Sequence, residues 1–192
     1  MALHRVITTP GIYFVTFTCH DWLPLIDMVD GYDLVYKWFD VLVSRGHVIN
    51  GYVIMPNHIH LLLYYNGGKK SLNTVTGNGK RFIAYGIVER LKKRNEHAIL
   101  NKLAGAVTVS DRSRGKKHEV WKDAFDAKLC YTEQFCLQKL IYIHRNPCSG
   151  VWNLAESIID YPHSSAKFYI CNKQGIYPVR DYREYLKYGD EG

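Results

Sequence analysis

Two histidines separated by one residue, His58 and His60, are the side chains in this sequence best suited to bind a metal ion. They lie in residues 51–65, whose β-branched, aromatic and leucine residues are typical of strands. Because side chains alternate along a strand, both imidazoles should project from one face, which we expect to be open, and Ile59 from the other. Two neutral imidazoles on one rigid face could chelate a divalent metal, although single strand histidines are more often structural.

A tyrosine and an asparagine four residues apart, Tyr142 and Asn146, lie in the last predicted helix of the core. This spacing places them on one helix face, and Pro147 disfavours helical dihedral angles at Asn146, which predicts that the helix ends there. The amide oxygen of Asn146 is a neutral, hard donor that could join the two histidines around Mg²⁺ or Mn²⁺. Tyr142 has an alternative explanation as a core aromatic, because Leu140 and Ile141 beside it are apolar.

The pattern of apolar residues predicts the elements that would position these side chains. Strands are predicted at residues 12–19, 47–55, 58–65 and 119–130. Helices are predicted at residues 32–44, 71–94 and 132–146, with an exposed loop at 111–117 and a short amphipathic helix at 181–188. This order predicts an α+β, ferredoxin-like (βαββαβ) fold, an antiparallel sheet with helices on one face and the last helix appended. We expect one domain over residues 1–192, with a core at about 10–147 and a C-terminal extension at 148–192.

The composition is compatible with a nucleic-acid partner. The 192 residues include 25 Lys and Arg against 18 Asp and Glu, which gives a net charge of +7 and a pI near 9.1. A basic surplus favours polyanions, and some of the 15 tyrosines could stack on bases, although most should be core residues. Hydrophobic residues make up 47 %, which excludes a largely disordered chain.

The cysteines and the apolar segments indicate a reducing compartment. The five cysteines are odd in number and form no Cys-x-x-Cys pair, so neither a zinc knuckle nor a disulfide framework is predicted. We find no signal-peptide pattern and no segment apolar enough to span a bilayer. We therefore expect a cytoplasmic protein that does not insert into membranes.

Several motifs together resemble the REP-associated tyrosine transposases, a branch of the single-tyrosine HUH endonuclease superfamily. Residues 53–62 carry the His-hydrophobic-His signature, and residues 13–18 resemble the family's first strand. Residues 120–126 follow with Val-Trp and Phe-Asp. Residues 142–147 and 160–165 resemble the Tyr-Ile-x-x-Asn-Pro and Tyr/Trp-Pro-x-Ser-Ser motifs. The order of the motifs is that of the family, and they cover most of the chain.

The resemblance implies a transposase-type enzyme that cleaves and joins single-stranded DNA near hairpins. In the family, the tyrosine that matches Tyr142 is the nucleophile and forms a covalent 5′-phosphotyrosine. The residues that match His58, His60 and Asn146 hold the divalent metal, here Mg²⁺ or Mn²⁺. The REP-associated branch has a C-terminal extension and resembles monomeric proteins. We therefore expect a monomer in preference to a homodimer.

Basic residues near the catalytic face are the expected DNA contacts. The candidates are Lys80, Arg81, Arg114, Lys116, Lys117 and Arg145. Charge runs are usually solvated surface, so we expect only a minority to touch phosphate. His144 should face away from Tyr142 as a structural or DNA-contacting residue, and Asp126 is a candidate supporting residue. No role follows from the sequence for the motif at 162–165.

Two alternatives remain from the sequence. A metal-dependent nuclease could use the same histidines to activate water, and it would leave no covalent adduct. A non-catalytic nucleic-acid-binding module could share the fold, but it would not need His58, His60, Tyr142 and Asn146 together.

Overall fold

The computed structural model describes residues 6–122, 126–150 and 152–186. Its strands are β1 (Gly11–Thr18), β2 (Val48–Ile54), β3 (His58–Tyr65) and β4 (Asp126–Leu129). Its α-helices are α1 (Leu25–Met28), α2 (Tyr32–Ser44), α3 (Leu72–Lys93), α4 (His97–Gly105), α5 (Val109–Ser113), α6 (Glu133–Arg145) and α7 (Ala166–Cys171). Short 3-10 helices occupy His20–Trp22, Asn146–Cys148 and Tyr182–Tyr185.

The four strands form one antiparallel sheet in the order β2-β3-β1-β4. The strand β1 lies between β3 and β4, and the connections from β1 to β2 and from β3 to β4 run through α2 and α3. This order and these crossovers are those of a ferredoxin-like fold. The predicted fold class is confirmed.

Helices α2 and α3 cover one face of the sheet and bury the larger core. Odd-numbered residues of β1 and β3 point into it, among them Val15, Phe17 and Leu61. Ser71 caps the start of α3, where its hydroxyl accepts a hydrogen bond from Thr74 N at 3.2 Å. At Gly79 an added Cβ would overlap the Trp38 ring, so glycine is required for the close approach of α3 to α2.

Helix α6 lies on the opposite face of the sheet, over a second apolar core. Leu140 and Ile143 of α6 are buried there with Phe14 and Leu62. At Gly51 in β2, an added Cβ would lie 2.6 Å from Leu140 Cδ2. Glycine at this position therefore lets α6 lie directly on the sheet.

The C-terminal extension covers the free edge of β2. Ile54 N donates to His163 O at 2.9 Å, and Ser165 N donates to Tyr52 O at 3.0 Å. Further along the same edge, Arg180 N donates to Ile49 O at 3.0 Å. An uncovered strand edge can pair with other chains, and these bonds occupy this one.

Three secondary-structure predictions differ from the structure. The predicted loop at 111–117 begins within α5, whose start is capped by Thr108, and α4 was not predicted. Within the predicted strand 119–130, the described strand is only Asp126–Leu129, because Trp121 forms an isolated bridge with Cys19. Residues 123–125 of that prediction, and 187–188 of the predicted tail helix, lie outside the described residues. The described part of that tail is a single 3-10 turn.

Across the described ranges we find no helix with the length and apolarity needed to cross a bilayer.

Candidate active site

The two histidines lie side by side at the start of β3, on the face that α6 covers. In the register of β1 with β3, His58 is opposite Thr18 and His60 is opposite Thr16. The two imidazole centroids are 4.8 Å apart, whereas Ile59 is buried in the core of the other face. The predicted alternation is therefore observed. The expectation of an open face is wrong, because α6 and its neighbours leave His58 only 7 % and His60 only 4 % exposed.

Hydrogen bonds fix the orientation of both imidazole rings. Asn57 Nδ2 donates to Trp22 O at 3.0 Å, which turns Asn57 Oδ1 towards His58 Nδ1 at 2.6 Å. His58 Nδ1–H is thus the donor, and the lone pair of Nε2 points into the site. His60 Nδ1 shares a 2.7 Å hydrogen bond with Thr16 Oγ1. Oriented in this way, both rings present Nε2 to the space beneath α6.

Burial keeps both imidazoles neutral at physiological pH. Desolvation lowers the pKa of His60 to about 3, with smaller contributions from the neighbouring His58 and Lys139. Desolvation also lowers the pKa of His58, and the contact with Asn146 partly opposes that shift. Neutral imidazole is the form that ligates metals, so this environment favours ligation over protonation.

Helix α6 places Tyr142 over the buried histidines. The packing of Leu140 and Ile143 on the sheet leaves Tyr142 at the margin of the interface, with 52 % of its surface exposed. Its ring centroid is 5.0 Å from that of His60 and 6.0 Å from that of Phe14, both in edge-to-face geometry. A phenol in this position is open to a ligand from solvent while its ring contacts His60, which is unlike a core aromatic.

Asn146 connects the end of α6 to His58. Its Nδ2 donates to Tyr142 O at 3.2 Å, and its Oδ1 lies 3.1 Å from His58 Nε2. The helix ends at Arg145, one residue before the predicted end at Asn146. Asn146 keeps helical dihedral angles, which was not expected before a proline, and it begins a 3-10 turn. Pro147 therefore tightens the helix end without moving Asn146 out of the helical region.

The donor atoms of this site fit a small divalent cation. His60 Nε2 is buried and has no hydrogen-bond partner among the described residues. His58 Nε2 and Asn146 Oδ1 face each other with lone pairs at 3.1 Å. Two ligands at right angles on Mg²⁺, each bonded at about 2.1 Å, would be about 3.0 Å apart. In the described part of the chain, no three His, Cys, Asp or Glu side chains are grouped so that they could hold a metal ion, so a three-ligand set here would need the Asn146 amide.

The predicted DNA-contacting residues fall into two places. Five line one groove of about 750 Å³ between α3 and the segment after α5, namely Lys80, Arg81, Arg114, Lys116 and Lys117. This groove belongs to the α3 side of the sheet and not to the face of the histidines. Arg145 is exposed at the end of α6, beside the site.

Acidic residues engage some of the groove's cations. Arg114 and Lys116 both pair with Asp111, and Lys116 Nζ is also 2.5 Å from Glu119 Oε2. Lys92 and Lys122 line the same groove, although they were not among the predicted DNA contacts.

The motif at 162–165 holds α6 in place. Ser165 Oγ accepts a hydrogen bond from Tyr52 N at 2.9 Å and shares another of 2.9 Å with His144 Nε2. His144 is buried and bonded to Ser165, which favours the structural one of its two predicted roles. His163 stacks on Tyr32 with a centroid distance of 3.6 Å. The motif thus ties the helix of Tyr142 to the covered edge of β2.

Three residues that support the site were not predicted from the sequence. Thr16 and Asn57 orient the imidazoles, and Trp22 lies beside His58. Thr16 was identifiable only from strand pairing, whereas Asn57 directly precedes His58. Asp126 of β4 lies opposite Thr16 of β1, and Thr16 lies opposite His60 of β3. The Asp126 carboxylate is exposed and lies 3.5 Å from Lys128 Nζ.

One solved structure shares the fold of most of this chain. The structure of a REP-associated tyrosine transposase bound to a REP hairpin aligns with a TM-score of 0.61 and 18 % identity. The alignment covers 93 % of this chain and 89 % of that one. A protein from Deinococcus radiodurans R1 proposed to be a transposase aligns with a TM-score of 0.35 and 16 % identity, over 76 % of this chain and 97 % of that one. No family model and no curated protein matches the sequence. The first alignment shows that the chain has the fold of that transposase.

Proposed function

We propose that this protein is a single-stranded DNA endonuclease and strand transferase of the transposase type, and that it cleaves near DNA hairpins. The observation that carries the proposal is the position of Tyr142, half exposed and 5.0 Å, between ring centroids, from the buried His60. A solvent-accessible phenol beside two neutral imidazoles and an amide oxygen suits phosphodiester chemistry. The likeness in fold to a transposase bound to a hairpin supports the same choice.

His58, His60 and Asn146 would hold Mg²⁺ or Mn²⁺ through the two Nε2 atoms and Oδ1. When bound, the metal polarises a phosphate oxygen and offsets the negative charge that develops on it. Thr16 and Asn57 keep the imidazoles in the ligating orientation through their bonds to the two Nδ1 atoms. Because the pKa of His60 is low, the ring is already in the neutral form that metal ligation requires at neutral pH.

In the reaction, Tyr142 Oη would form a bond to the scissile phosphorus as the bond from phosphorus to the 3′ oxygen breaks. The products are a 5′-phosphotyrosine and a free 3′-hydroxyl. The phenol of Tyr142 loses one proton and the leaving 3′ oxygen takes up one proton, so the step is balanced. Because one phosphodiester is exchanged for another, attack by a 3′-hydroxyl can reverse the step and join strands.

Single-stranded DNA is the form that this geometry favours. Tyr142 belongs to a helix packed on the sheet, so the scissile phosphate must approach the helix surface in line with the phenol. A paired strand would hinder that approach, whereas single-stranded DNA beside a hairpin can bend to it. Arg145 is three residues from Tyr142 and could bind a DNA phosphate close to the scissile one. The groove of Lys80 and Lys117 could bind DNA phosphates further away.

The test is covalent capture of the DNA. Labelled single-stranded oligonucleotides with a hairpin would be incubated with Mn²⁺ and the products separated under denaturing conditions. We expect adducts with the wild type and with the control Tyr131→Phe, whose tyrosine is 76 % exposed just before α6. We expect none with Tyr142→Phe. Cleavage without an adduct would indicate a water-activating nuclease, and unchanged adducts with Tyr142→Phe would contradict the assignment.

A further inference from the structure

Trp22 presents an exposed indole beside the candidate active site. It is 55 % exposed, whereas Trp38 and Trp121 are buried in the core between the sheet and α3. Its backbone and that of Asp21 adopt left-handed conformations, with φ of +56° and +51°. Such conformations are costly for non-glycine residues and concentrate at functional sites.

The backbone of Trp22 is tied to the support of His58. Its carbonyl accepts the 3.0 Å hydrogen bond from Asn57 Nδ2, and Asn57 Oδ1 in turn accepts from His58 Nδ1. The indole centroid is 6.1 Å from the His58 ring, with an interplanar angle of 78°. The position of the indole relative to the candidate metal ligands is therefore set by the same bonds that orient His58.

Lys122 connects this indole to the basic groove. Its ammonium lies 4.4 Å from the centroid of the Trp22 ring. Lys122 also lines the groove that contains five of the predicted DNA-contacting residues, and its carbonyl accepts a 2.9 Å hydrogen bond from Lys80 Nζ. Positive charge thus runs from the groove on the α3 side to the aromatic ring beside His58.

An exposed aromatic ring with an adjacent cation has the chemistry to bind one nucleotide of a single strand. A base can stack on the indole, and the ammonium can pair with the phosphate next to it. A purely structural indole would gain more from burial, because most of its apolar surface is now in water. The strained backbone adds to the cost of keeping the ring where it is.

We propose that Trp22 and Lys122 form a nucleotide subsite, in which a base flanking the scissile phosphate of single-stranded DNA stacks on the Trp22 indole and Lys122 binds its phosphate. The subsite would hold the strand that leads from the basic groove to Tyr142. This inference rests on the proposed function, since it assigns the indole to the same DNA strand.

Binding without catalysis tests the subsite. The Tyr142→Phe protein would be titrated without metal with oligo(dT) and with a chain of abasic sites of the same length and charge, and tryptophan fluorescence recorded. We expect oligo(dT) to quench the fluorescence and to bind about 10-fold more tightly than the abasic chain. A second substitution in this protein, Trp22→Leu, should remove most of the quenching and most of the preference for oligo(dT) over the abasic chain. Trp152→Phe is the matched control and should change neither.

Two further variants keep the test decisive if Trp22→Leu folds poorly. Trp22→Phe retains a ring, so it should lose the quenching but keep part of the preference for bases. Lys122→Met should weaken the binding of both oligomers equally. It should also reduce the slope of log affinity against log salt concentration by the amount that one phosphate contact contributes. Quenching that persists in Trp22→Phe, or a base preference that persists undiminished in Trp22→Leu, would overturn the subsite alone, with covalent adducts of the wild type still intact. Failure of both oligomers to bind would overturn the subsite and the proposed function together.

Discussion

The two faces of the central sheet are built from the same strands but do different work. On the side of α2 and α3, β3 contributes Ile59, Leu61 and Leu63, and all three are fully buried. On the side of α6, the same strand contributes His58 and His60 before the apolar Leu62. One face is a continuous apolar core, and the other replaces the end of its core with polar groups.

The difference shows how a site can be buried without disrupting the fold. Most polar groups beneath α6 are paired, for example Thr16 with His60 and His144 with Ser165. His60 Nε2 stays unpaired in the described structure, and it points where a ligand would be needed. Leaving a buried polar atom unsatisfied costs about 1–3 kcal/mol, so such an atom needs an explanation. A bound metal ion would supply one.

The largest effect on stability is expected from the apolar face. Leu61→Ala should lower the free energy of unfolding by about 2–5 kcal/mol, because it leaves a cavity in a close-packed core. Chemical denaturation would measure it, with Leu129→Ala as the control at an exposed position of β4. A change in Leu61→Ala as small as that of the control would contradict the division between the faces.

On the α6 face, the loss should fall on cleavage more than on stability. His60→Leu fills the site without a donor atom, which avoids the cavity that alanine would leave at a buried position. We expect metal-dependent cleavage to fall by at least about 100-fold, more than the loss of a group that only supports a ligand. Wild-type cleavage by this variant, with Mn²⁺ titrated, would remove His60 from the metal set.

Acid should destabilise the α6 face through its buried histidines. Burial lowers the pKa of His60 to about 3 and that of His144 to about 4, from an ordinary value of 6.5. The unfolded chain therefore binds more protons than the folded protein below about pH 6.5, so stability falls as the pH falls towards those values. At pH 5 each group should cost about 2 kcal/mol. His60→Leu should remove the share of this dependence that His60 contributes, about 2 kcal/mol at pH 5, in denaturation measured across pH. An unchanged dependence would contradict the assignment.

A smaller effect is expected for the third donor. Asn146→Ala should raise the Mn²⁺ concentration needed for half-maximal cleavage by about 10-fold, because water can replace a neutral amide oxygen. Cleavage at saturating Mn²⁺ should stay within a few-fold of the wild type. A metal requirement equal to that of the wild type would show that Asn146 is not a ligand.

Local patterns in the sequence predicted much of the fold. The apolar spacing gave helix α2 with the bounds that the structure has, and the alternation at residues 58–60 gave the common face of the histidines. The strand predicted at 119–130 was too long because Val120 and Trp121 are buried by packing outside the sheet. Apolar composition alone does not separate these two kinds of burial.

The arrangement of the site depended on information that is not local. The sequence places Tyr142 on an amphipathic helix, but it does not say that α6 docks on the face of the histidines and buries them. The orienting roles of Thr16 and Asn57 and the position of Trp22 likewise follow from strand pairing and from a turn with positive φ. The metal set and the nucleophile stay predictions that the geometry supports.

The central claim is that Tyr142 becomes covalently bound to DNA, and mass spectrometry of the adduct tests it most directly. After reaction with single-stranded DNA and Mn²⁺, nuclease and protease digestion would leave a nucleotide on one peptide. We predict that the modified peptide contains Tyr142 and that the nucleotide is joined through a 5′-phosphate. A nucleotide on Tyr13, Tyr52 or Tyr161, or no adduct while DNA is cleaved, would contradict this account.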